Sequence, residues 1–429
     1  MEDIRKPLVT KNSHLNEAIE CLRQSPHYLW IILCTKFTSF AAFSVIAVCA
    51  SLYLTKVQHF SEREAGLIFA SFGLAIGFYS VCLSNLAKIW GIRNTMVLGN
   101  AMGCIGYILV LILKNKYQQF ASILIFLMFA ISINLTNTKL GIKYYTYPKS
   151  RSLAYTLYFI VFFVAAGFAS GGVDLLYSLY DEDEELYQVI FSFGLGLYVA
   201  TLILSLFLRE IDLENIEDIE VTFIMPSKEA IKLKRFWKFV VFVSLMLVIK
   251  SVYFHLSGTL PIYMDRAMEN GKHFGLMMVI HQIILLIATP ICTYLVFYMD
   301  KYSIIVLGTF FTAASTMVLY YDSSYVGITI MIIILSIGES IYAPRLIDYT
   351  IEVAPQGAEA IFLGIVAITN SLPLIITGVT GGLLMGNYCT EDGPKDQCNC
   401  VWGWVSGYSL AAVFILLVFR KFIEDKPIS

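Results

Sequence analysis

Runs of about 20 apolar residues follow one another along nearly the whole chain, separated by short polar segments. A helix of that length crosses the hydrocarbon core of a bilayer and satisfies its own backbone polar groups there. Of the 429 residues, 58% are hydrophobic and 14% are charged, whereas a soluble protein has about 25% charged residues. The sequence therefore predicts an all-α polytopic membrane protein, with no polar stretch long enough to form a soluble domain.

Twelve such runs divide evenly around one polar segment. We place the spans at residues 28–54, 64–87, 94–113, 118–142, 152–178, 187–208, 236–263, 275–298, 303–320, 326–343, 358–386 and 402–419. This predicts an N-terminal tail (1–27), a six-helix bundle (28–208), a linker (209–235), a second six-helix bundle (236–419) and a C-terminal tail (420–429). Because residues 1–27 are polar, the first span itself is expected to direct membrane insertion.

The distribution of Lys and Arg predicts the orientation of the spans. With both termini in the cytoplasm, the inside segments hold 19 of the 30 Lys and Arg residues and the outside segments hold 7. Cytoplasmic segments are the ones enriched in these residues, so we expect cytoplasmic termini and an outside location for the acidic run 181–185. One disulfide is expected among three cysteines of the last outside loop, with a thiol left over; they are Cys389, Cys398 and Cys400.

The two halves repeat a short pattern at equivalent positions. Span 4 ends in KLGIKYYTYPKSRSLAY and span 10 ends in PRLIDYTIEVAPQGAEAI. Each has a basic residue, an aromatic residue, a proline and a polar linker before a new helix. Lys139 precedes Pro148 by nine residues, and Arg345 precedes Pro355 by ten. Internal repeats in a polytopic chain are typical of transporters that work by alternating access.

An ionisable group within a span is a candidate functional residue, because it costs several kcal/mol unless it is paired or hydrated. Glu339 follows Gly338, which allows close approach of a backbone or a ligand. Pro344 is expected to kink or open the helix near the glutamate, and an acid at a broken helix suits an amine or a proton. The alternative is that Glu339 pairs with a neighbouring lysine and only holds spans together. Arg345 lies about 240° around the helix from Glu339, which excludes an intrahelical pair.

Lys139 lies in span 4 beside a polar stripe that we expect to face a wet interior. The stripe consists of Asn134, Asn137, Thr138 and Gly141. A lysine there could hold a carboxylate, and snorkelling to the membrane surface is the alternative. Lys143, one turn nearer the end of the span, is expected to snorkel.

Lys36, Lys250 and Tyr158 complete the set of candidate substrate-binding residues. Lys36 lies one or two turns inside span 1, where a substrate-binding role and snorkelling both remain open. Lys250 is too deep to snorkel and is expected to pair in the interior. Tyr158 comes from an aromatic-rich face whose other members are expected to pack. His255 and His281 are expected to be hydrogen-bonded packing residues.

The loop SNLAKIWGIRN at 84–94 is similar to the loop between spans 2 and 3 of the major facilitator superfamily. Five residues match the family pattern, namely Leu86, Ala87, Trp90, Gly91 and Arg93. Ser84 replaces the family's glycine and Lys88 replaces its acid, whereas the equivalent loop MDKYS keeps Asp300 and Lys301. In the family this loop braces the cytoplasmic gate. The resemblance therefore implies gating roles for Gly91, Arg93, Asp300 and Lys301, beside the predicted gate or kink at Gly338, Pro344 and Arg345.

Three segments resemble the proton-coupled oligopeptide transporter branch of that superfamily: TKF at 35–37, LYLT at 52–55 and GESIYAP at 338–344. The resemblance implies the major facilitator fold, with twelve transmembrane helices in two pseudo-symmetric six-helix bundles. It implies that Lys36 replaces a family arginine, that Lys139 matches a lysine contacting substrate or the coupling acid, and that Glu339 matches the acid for the substrate's amino terminus. Ile32 and Thr35 replace both family glutamates of span 1, so proton coupling is expected to be different or absent.

The sequence thus predicts a monomeric, secondary-active or facilitative solute carrier, with proton coupling left open. The expected substrate is a small zwitterion or anion, such as a short peptide or amino acid. Its anionic group would meet Lys36 and Lys139, and its cationic group would meet Glu339. No enzymatic constellation occurs in the spans, and no cofactor, metal or nucleic acid is expected. A plasma or endolysosomal membrane is the expected location, and a non-transporting sensor or scaffold with the same fold is the alternative function.

Overall fold

The computed structural model describes residues 20–83, 86–147, 150–180, 184–210, 234–268, 273–296, 299–354, 362, 365–366, 368–391 and 393–423. Within them the chain is helical, and its long helices follow one another in the predicted order. The predicted domain boundaries in the linker and the two tails lie largely outside the described residues.

The first half contains six long helices. They are α1 (His27–Leu52, continued as a π-helix over Tyr53–Val57), α2 (Glu62–Cys82), α3 (Ile92–Ile112), α4 (Met128–Tyr145, preceded by Lys116–Ser122 and a π-helix over Ile123–Leu127), α5 (Arg151–Leu179) and α6 (Glu184–Leu206). A short helix, Leu86–Trp90, connects α2 to α3.

The second half repeats the arrangement. Its helices are α7 (Lys234–Gly258), α8 (Phe274–Leu295), α9 (Lys301–Ser315), α10 (Tyr325–Val353), α11 (Pro373–Tyr388) and α12 (Asn399–Val418). Shorter helical pieces are Leu260–Ala267, Met317–Tyr321, Ile368–Asn370, Lys395–Cys398 and Arg420–Ile423. Part of predicted span 11, including residues 358–361, lies outside the described residues.

Ten helices in the described part of the chain are long and apolar enough to cross a membrane. The remaining two are α2, the second helix of the first half, and α11, the fifth helix of the second half. With them the chain has the twelve membrane helices of a major facilitator fold. The fold class predicted from the sequence is thereby confirmed.

Spans 7 and 10 are among those whose boundaries differ from the prediction. Span 10 was predicted to end at residue 343, but α10 continues through Pro344 to Val353. A proline removes one backbone hydrogen-bond donor from a helix. The 29-residue helix α10 keeps its other hydrogen bonds and continues past Pro344. Span 7 was predicted as one helix over 236–263, but it is interrupted at Thr259, where Pro261 opens the following helix. Proline is favoured in the first turn because no hydrogen bond is lost there.

The two halves contact each other mainly through α2 with α11 and α5 with α8, and less extensively through α1 with α7. Glycines bring α2 and α11 close together: a Cβ added to Gly66 would lie 2.2 Å from the carbonyl oxygen of Gly378. Small residues of this kind allow backbones in a membrane to approach closely. The α2–α11 contact is therefore a tightly packed seam between the halves.

The polar contacts between the halves lie at one end of the molecule, which we name the closed end. It is the end at which α1 finishes and α2 begins. Between described residues, the hydrogen bonds and ion pairs that join the halves there are Ser51 with Ser257, Lys56 with Asp265, Glu62 with Arg266, Arg63 with Asn387, and Asp174 with His273. We name the opposite end, where α1 and α7 begin, the linker end.

A disulfide joins Cys389 to Cys398 beside the closed end, and Cys400 is a free thiol. This agrees with the expected single disulfide and leftover cysteine. Arg266 connects the loop to the seam, because its Nη1 donates to the Cys389 carbonyl oxygen at 2.6 Å and its Nη2 donates to Glu62 Oε1 at 2.8 Å. The disulfide loop therefore helps to position Arg266, which forms an ion pair with Glu62 of the other half.

Candidate functional site

Lys36 is completely buried, with 0% exposure, on α1. Its ammonium nitrogen lies 4.5 Å from the ring centroid of Phe40, 4.8 Å from that of Tyr158 and 5.3 Å from that of Phe162. No hydrogen-bond acceptor among the described residues contacts this Nζ. The rings stabilise a cation through their electron-rich faces, but they do not neutralise its charge. The predicted candidates Lys36 and Tyr158 are therefore brought together in one aromatic cage.

Lys139 is exposed on α4, the helix that packs against α1 with its buried Lys36. The Tyr155 hydroxyl donates to the Lys139 carbonyl oxygen at 3.2 Å, which ties α5 to this point of α4. The two predicted anion-binding lysines thus lie on neighbouring helices, α1 and α4. Both are nearer the linker end than the closed end, about six to nine residues from their helix termini.

The polar stripe beside Lys139 does not face a wet interior as expected. Asn134, Asn137 and Thr138 are buried, and the Asn134 side chain donates to Asn100 Oδ1 of α3 at 2.7 Å. A Cβ added to Gly141 would lie 2.0 Å from Ile32 of α1. The stripe packs against neighbouring helices because its amides can bond each other and its glycine permits close contact.

Glu339 lies near the middle of α10, with 19% of its side chain exposed. Its Oε2 lies 3.6 Å from Nε2 of His281 on α8. The other ring nitrogen, Nδ1 of His281, is hydrogen-bonded to Ser336 Oγ at 2.7 Å. Neither Nε2 of His281 nor Oε2 of Glu339 has a hydrogen-bond partner among the described residues. His281 was expected to be a packing residue, but it is the nearest basic group to the glutamate.

Lys250 completes the polar cluster of the second half. Its Nζ donates to Thr369 Oγ1 at 3.0 Å. Tyr253 stacks on the His281 ring with centroids 5.3 Å apart. We name Lys250, His281 and Glu339 the C-half cluster. Lys250 therefore has a hydroxyl partner in the interior, and its pairing with a charged group stays a prediction.

Gly338 and Arg345 make structural contacts on the same helix. A Cβ on Gly338 would lie 2.6 Å from Thr312 Oγ1 and 2.7 Å from the Gly308 carbonyl oxygen, so this glycine lets α10 lie against α9. Arg345 donates to Asp348 Oδ2 at 2.9 Å and to the Thr293 carbonyl oxygen of α8 at 3.0 Å. Their proposed part in gating stays a prediction, as does that of Pro344.

The start of α3 is capped by Glu210, an acid that the sequence analysis did not identify. Gly91 has φ 81° and ψ 166°, a conformation essentially restricted to glycine, and the Glu210 carboxylate occupies the place of a Cβ. Glu210 accepts from the backbone N–H groups of Arg93 at 3.3 Å and Asn94 at 3.1 Å. A carboxylate at a helix N-terminus satisfies orphan donors and favours the helix dipole. Lys88 replaces the family acid in sequence, but Glu210, from the end of α6, supplies an acid in space.

The corresponding loop of the second half keeps its own acid. Asp300 caps α9 by accepting from the Ser303 N–H at 2.9 Å and its hydroxyl at 2.6 Å. Arg420, beyond α12, donates to the same Oδ2 at 2.9 Å. Lys301 forms an ion pair with Glu352 at 2.5 Å, which connects the start of α9 to the end of α10.

Sequence reasoning missed Phe40, Phe162, His281 and Glu210. The four-residue step from Lys36 to Phe40 was a usable signal, because residues four apart share a helix face. His281, Phe162 and Glu210 lie on helices far from their partners in sequence, and no local pattern identifies them. The described residues hold no group of three side chains suited to a metal ion.

Two helical halves that are joined at one end and carry ionisable side chains within their helices are the arrangement typical of membrane transporters. The sequence matches the model of the Major Facilitator Superfamily over residues 32–378. The chain belongs to that superfamily, and it is a transporter rather than an enzyme. No sequence among curated proteins matches it.

Solved structures with the same fold include the nucleoside transporter NupG, with 17% identity and a TM-score of 0.76 over 92% of this chain and 100% of that one. A POT family transporter in complex with thioalcohol conjugated peptide has 15% identity and a TM-score of 0.76 over 93% and 97%. A POT family transporter in complex with 5-aminolevulinic acid has 14% identity and a TM-score of 0.77 over the same shares. At these identities the likeness establishes the fold alone.

Proposed function

We propose that this chain carries a small organic zwitterion or anion, such as an amino acid or a short peptide, across a membrane by alternating access. The observation that carries this proposal is the pair of lysines, Lys36 and Lys139, on neighbouring helices of the first half. A buried ionisable group in a membrane protein is functional by default, and two ammonium groups on neighbouring helices suit a carboxylate. The POT family neighbours bind a conjugated peptide and 5-aminolevulinic acid, which is in keeping with such a substrate.

The arrangement of contacts between the halves supports the alternating-access part of the proposal. The described polar bonds between halves gather at the closed end, and the two lysines lie toward the linker end. We propose that the closed end faces outside and that both termini are cytoplasmic, in a plasma or endolysosomal membrane. Release of the closed-end bonds and approach of the linker ends would then expose the lysines to the other side. The proposed working unit is the monomer.

We further propose that a proton is the coupling ion and that His281 and Glu339 share it. Both facing atoms lack hydrogen-bond partners among the described residues and lie 3.6 Å apart, so one added proton can form a charge-assisted bond between them. The other ionisable groups facing this pair are Lys250 and Tyr253 of α7 and Tyr342 of α10. In this chain, which lacks the span 1 glutamates of the peptide transporters, the His281–Glu339 pair would take over proton binding.

Counterflow into proteoliposomes tests the carrier. Vesicles loaded with unlabelled alanylalanine are expected to take up the labelled dipeptide, and Lys139→Met is expected to lower that exchange at least tenfold. Lys143→Met is the matched control, because it removes a lysine from the same helix one turn nearer the linker end and is expected to leave exchange unchanged. A purified chain that binds ligands but exchanges none, for any class of solute, would instead support the non-transporting sensor.

A further inference from the structure

Asp174 of α5 and His273, the residue before α8, join the two halves at the closed end. His273 Nδ1 lies 3.4 Å from Asp174 Oδ2. The other carboxylate oxygen, Oδ1, is buried and has no hydrogen-bond partner among the described residues. Asp174 lies in the last two turns of α5, away from the lysines of the first half and from the C-half cluster. Its contact with His273 therefore belongs to the joint between the halves.

Close backbone packing holds this contact in place. A Cβ added to Gly275, in the first turn of α8, would lie 2.5 Å from the Ser170 carbonyl oxygen and 2.7 Å from the Asp174 Cβ. Small residues let helices approach each other in this way, and the first turn of a helix favours a nearby negative charge. The start of α8 is therefore fitted against the carboxylate of α5.

His273 is the member of this contact whose charge depends on pH. The two other ion pairs that join the halves between described residues, Lys56 with Asp265 and Arg266 with Glu62, consist of side-chain types that ordinarily stay charged from pH 5 to 8. Histidine changes its charge within that range, and 52% of the His273 side chain is exposed, so protons from the solvent can reach it. A protonated ring gives the carboxylate an ion pair in place of a neutral contact.

The other groups near His273 come from α10 and from the short helix that follows α7. The ring centroid of Tyr325, at the start of α10, lies 6.5 Å from that of His273, and a tyrosine is ordinarily neutral in this pH range. The short helix also packs against α8, and its charged side chains, Asp265 and Arg266, form ion pairs with α1 and α2. A proton on His273 would therefore act on Asp174.

We propose that Asp174 and His273 form a pH-sensitive latch between the halves, in which a proton on His273 strengthens the closed end and slows its opening. The proton gains the carboxylate as a partner only while α5 and α8 are together, so the closed arrangement binds it more tightly than the open one. By linkage, this stabilisation is present at acid pH and is lost as the pH rises. The latch goes beyond the proposed function, because it involves neither the substrate lysines nor the His281–Glu339 pair.

Hydrogen–deuterium exchange of the purified full-length chain measures the opening. Backbone amides of residues 170–180 and of the short helix after α7 are followed at pH 5 and pH 8, with each rate corrected for the intrinsic exchange rate at that pH. In the wild-type chain we expect the corrected rate to be about threefold lower at pH 5, an effect of the size that partly exposed ion pairs have. Equal corrected rates at the two pH values overturn the proposal.

Two substitutions at His273 separate its charge from its hydrogen bond. His273→Gln keeps a donor but cannot take up the proton, so the pH dependence is expected to disappear and the rate to stay near the wild-type rate at pH 8. His273→Arg carries a cation at both pH values and is expected to exchange about threefold more slowly at both. Asp174→Asn is expected to remove the pH dependence as well. A pH dependence that persists in His273→Gln, or His273→Arg exchange as fast as wild type at pH 8, contradicts the latch.

Two further histidines serve as controls. His59 is exposed in the connection between α1 and α2 at the same end of the molecule, and His59→Gln is expected to keep the full pH dependence. His281→Gln is also expected to keep it, which separates the latch from the proposed coupling pair. If the pH dependence is lost in His281→Gln and kept in His273→Gln, it belongs to the C-half cluster and the latch is wrong.

Discussion

The two halves share one fold but distribute charge in opposite ways. In the first half, Lys36 and Lys139 lie on neighbouring helices without a described carboxylate partner. In the second half, Glu339 lies 3.6 Å from His281 of the neighbouring helix, within the C-half cluster that also holds Lys250. Because the backbone arrangement is pseudo-symmetric, the difference comes from side chains alone. We propose that the repeated fold thereby provides two sites with different tasks, one for a ligand's charge and one for a proton.

The linker-end loops show a second contrast. The start of α3 is capped from a distance by Glu210 of the α6 end, whereas the start of α9 is capped locally by Asp300, which also binds Arg420 beyond α12. In both halves an acid caps the third helix and links it to the segment after the sixth, which supplies Glu210 in the first half and the Arg420 partner of Asp300 in the second.

Lys36→Met is expected to have the largest effect of the variants that test the contrast between the halves, because it removes the buried charge of the first half. Loss of a charge-assisted contact to the substrate costs about 2–3 kcal/mol, which is roughly a 30- to 150-fold loss of affinity. The same change is expected to raise the thermal midpoint of the substrate-free chain, since a buried cation without a counter-ion is replaced by an apolar side chain of similar length. Counterflow and thermal unfolding measure the two effects.

A fall in exchange together with a rise in the thermal midpoint is the result that would assign a functional role to Lys36. A variant that loses both exchange and thermal stability would show that the cage with Phe40, Tyr158 and Phe162 is a structural element. Lys143→Met, expected to change neither quantity, is the control on the same membrane face.

Gly91→Ala tests the cap of the first half. Alanine is strained at φ 81° and ψ 166° by about 1–3 kcal/mol, and its Cβ would lie 2.0 Å from Glu210 Oε1. We expect a lower thermal midpoint and loss of the Glu210 cap. Gly196→Ala on α6 is the matched control, since a Cβ there meets nothing within 4 Å and alanine favours a helix by about 0.5–1 kcal/mol. Equal midpoints for the two variants would contradict the assigned role of Gly91.

His281→Gln tests the proton role of the second half. Without the imidazole, Glu339 no longer shares a proton with a neighbour, so accumulation driven by an inward proton gradient is expected to fall about tenfold, which corresponds to about 1.4 kcal/mol. Exchange without a gradient is expected to persist. His255→Gln is the matched control, because both ring nitrogens of His255 are already bonded to Thr259 and Tyr408. Gradient-driven uptake unchanged in His281→Gln would contradict the proposed coupling site.

Local sequence patterns predicted the helices and most candidate residues, but not how those residues combine. Apolar run length sets the number of spans, because the bilayer has a fixed thickness. The depth of Lys36 and Glu339 within their spans also followed from position. The neighbours that decide their chemistry, Phe162 and His281, come from other helices, and a single sequence has no signal for contacts between distant helices. The continuation of α10 past Pro344 likewise depends on packing that propensity does not describe.

Asp300→Asn is expected to have the smallest effect on stability, and it tests the contrast between the two helix caps. Burial favours the neutral carboxyl, but the Ser303 hydroxyl, the Ser303 N–H and Arg420 outweigh it and hold the pKa of Asp300 below its ordinary value. A lowered pKa means that the stabilisation is present above the unfolded pKa and is lost only as the pH falls through the folded pKa. The cap should therefore be charged throughout pH 5 to 8. Because asparagine still caps a helix, we expect a loss of about 0.5–1 kcal/mol from the missing charge, equal at pH 5 and pH 8 when measured by thermal unfolding. A loss that disappeared at pH 5 would show that Asp300 titrates near that pH and that the cap of the second half is weaker than its geometry indicates.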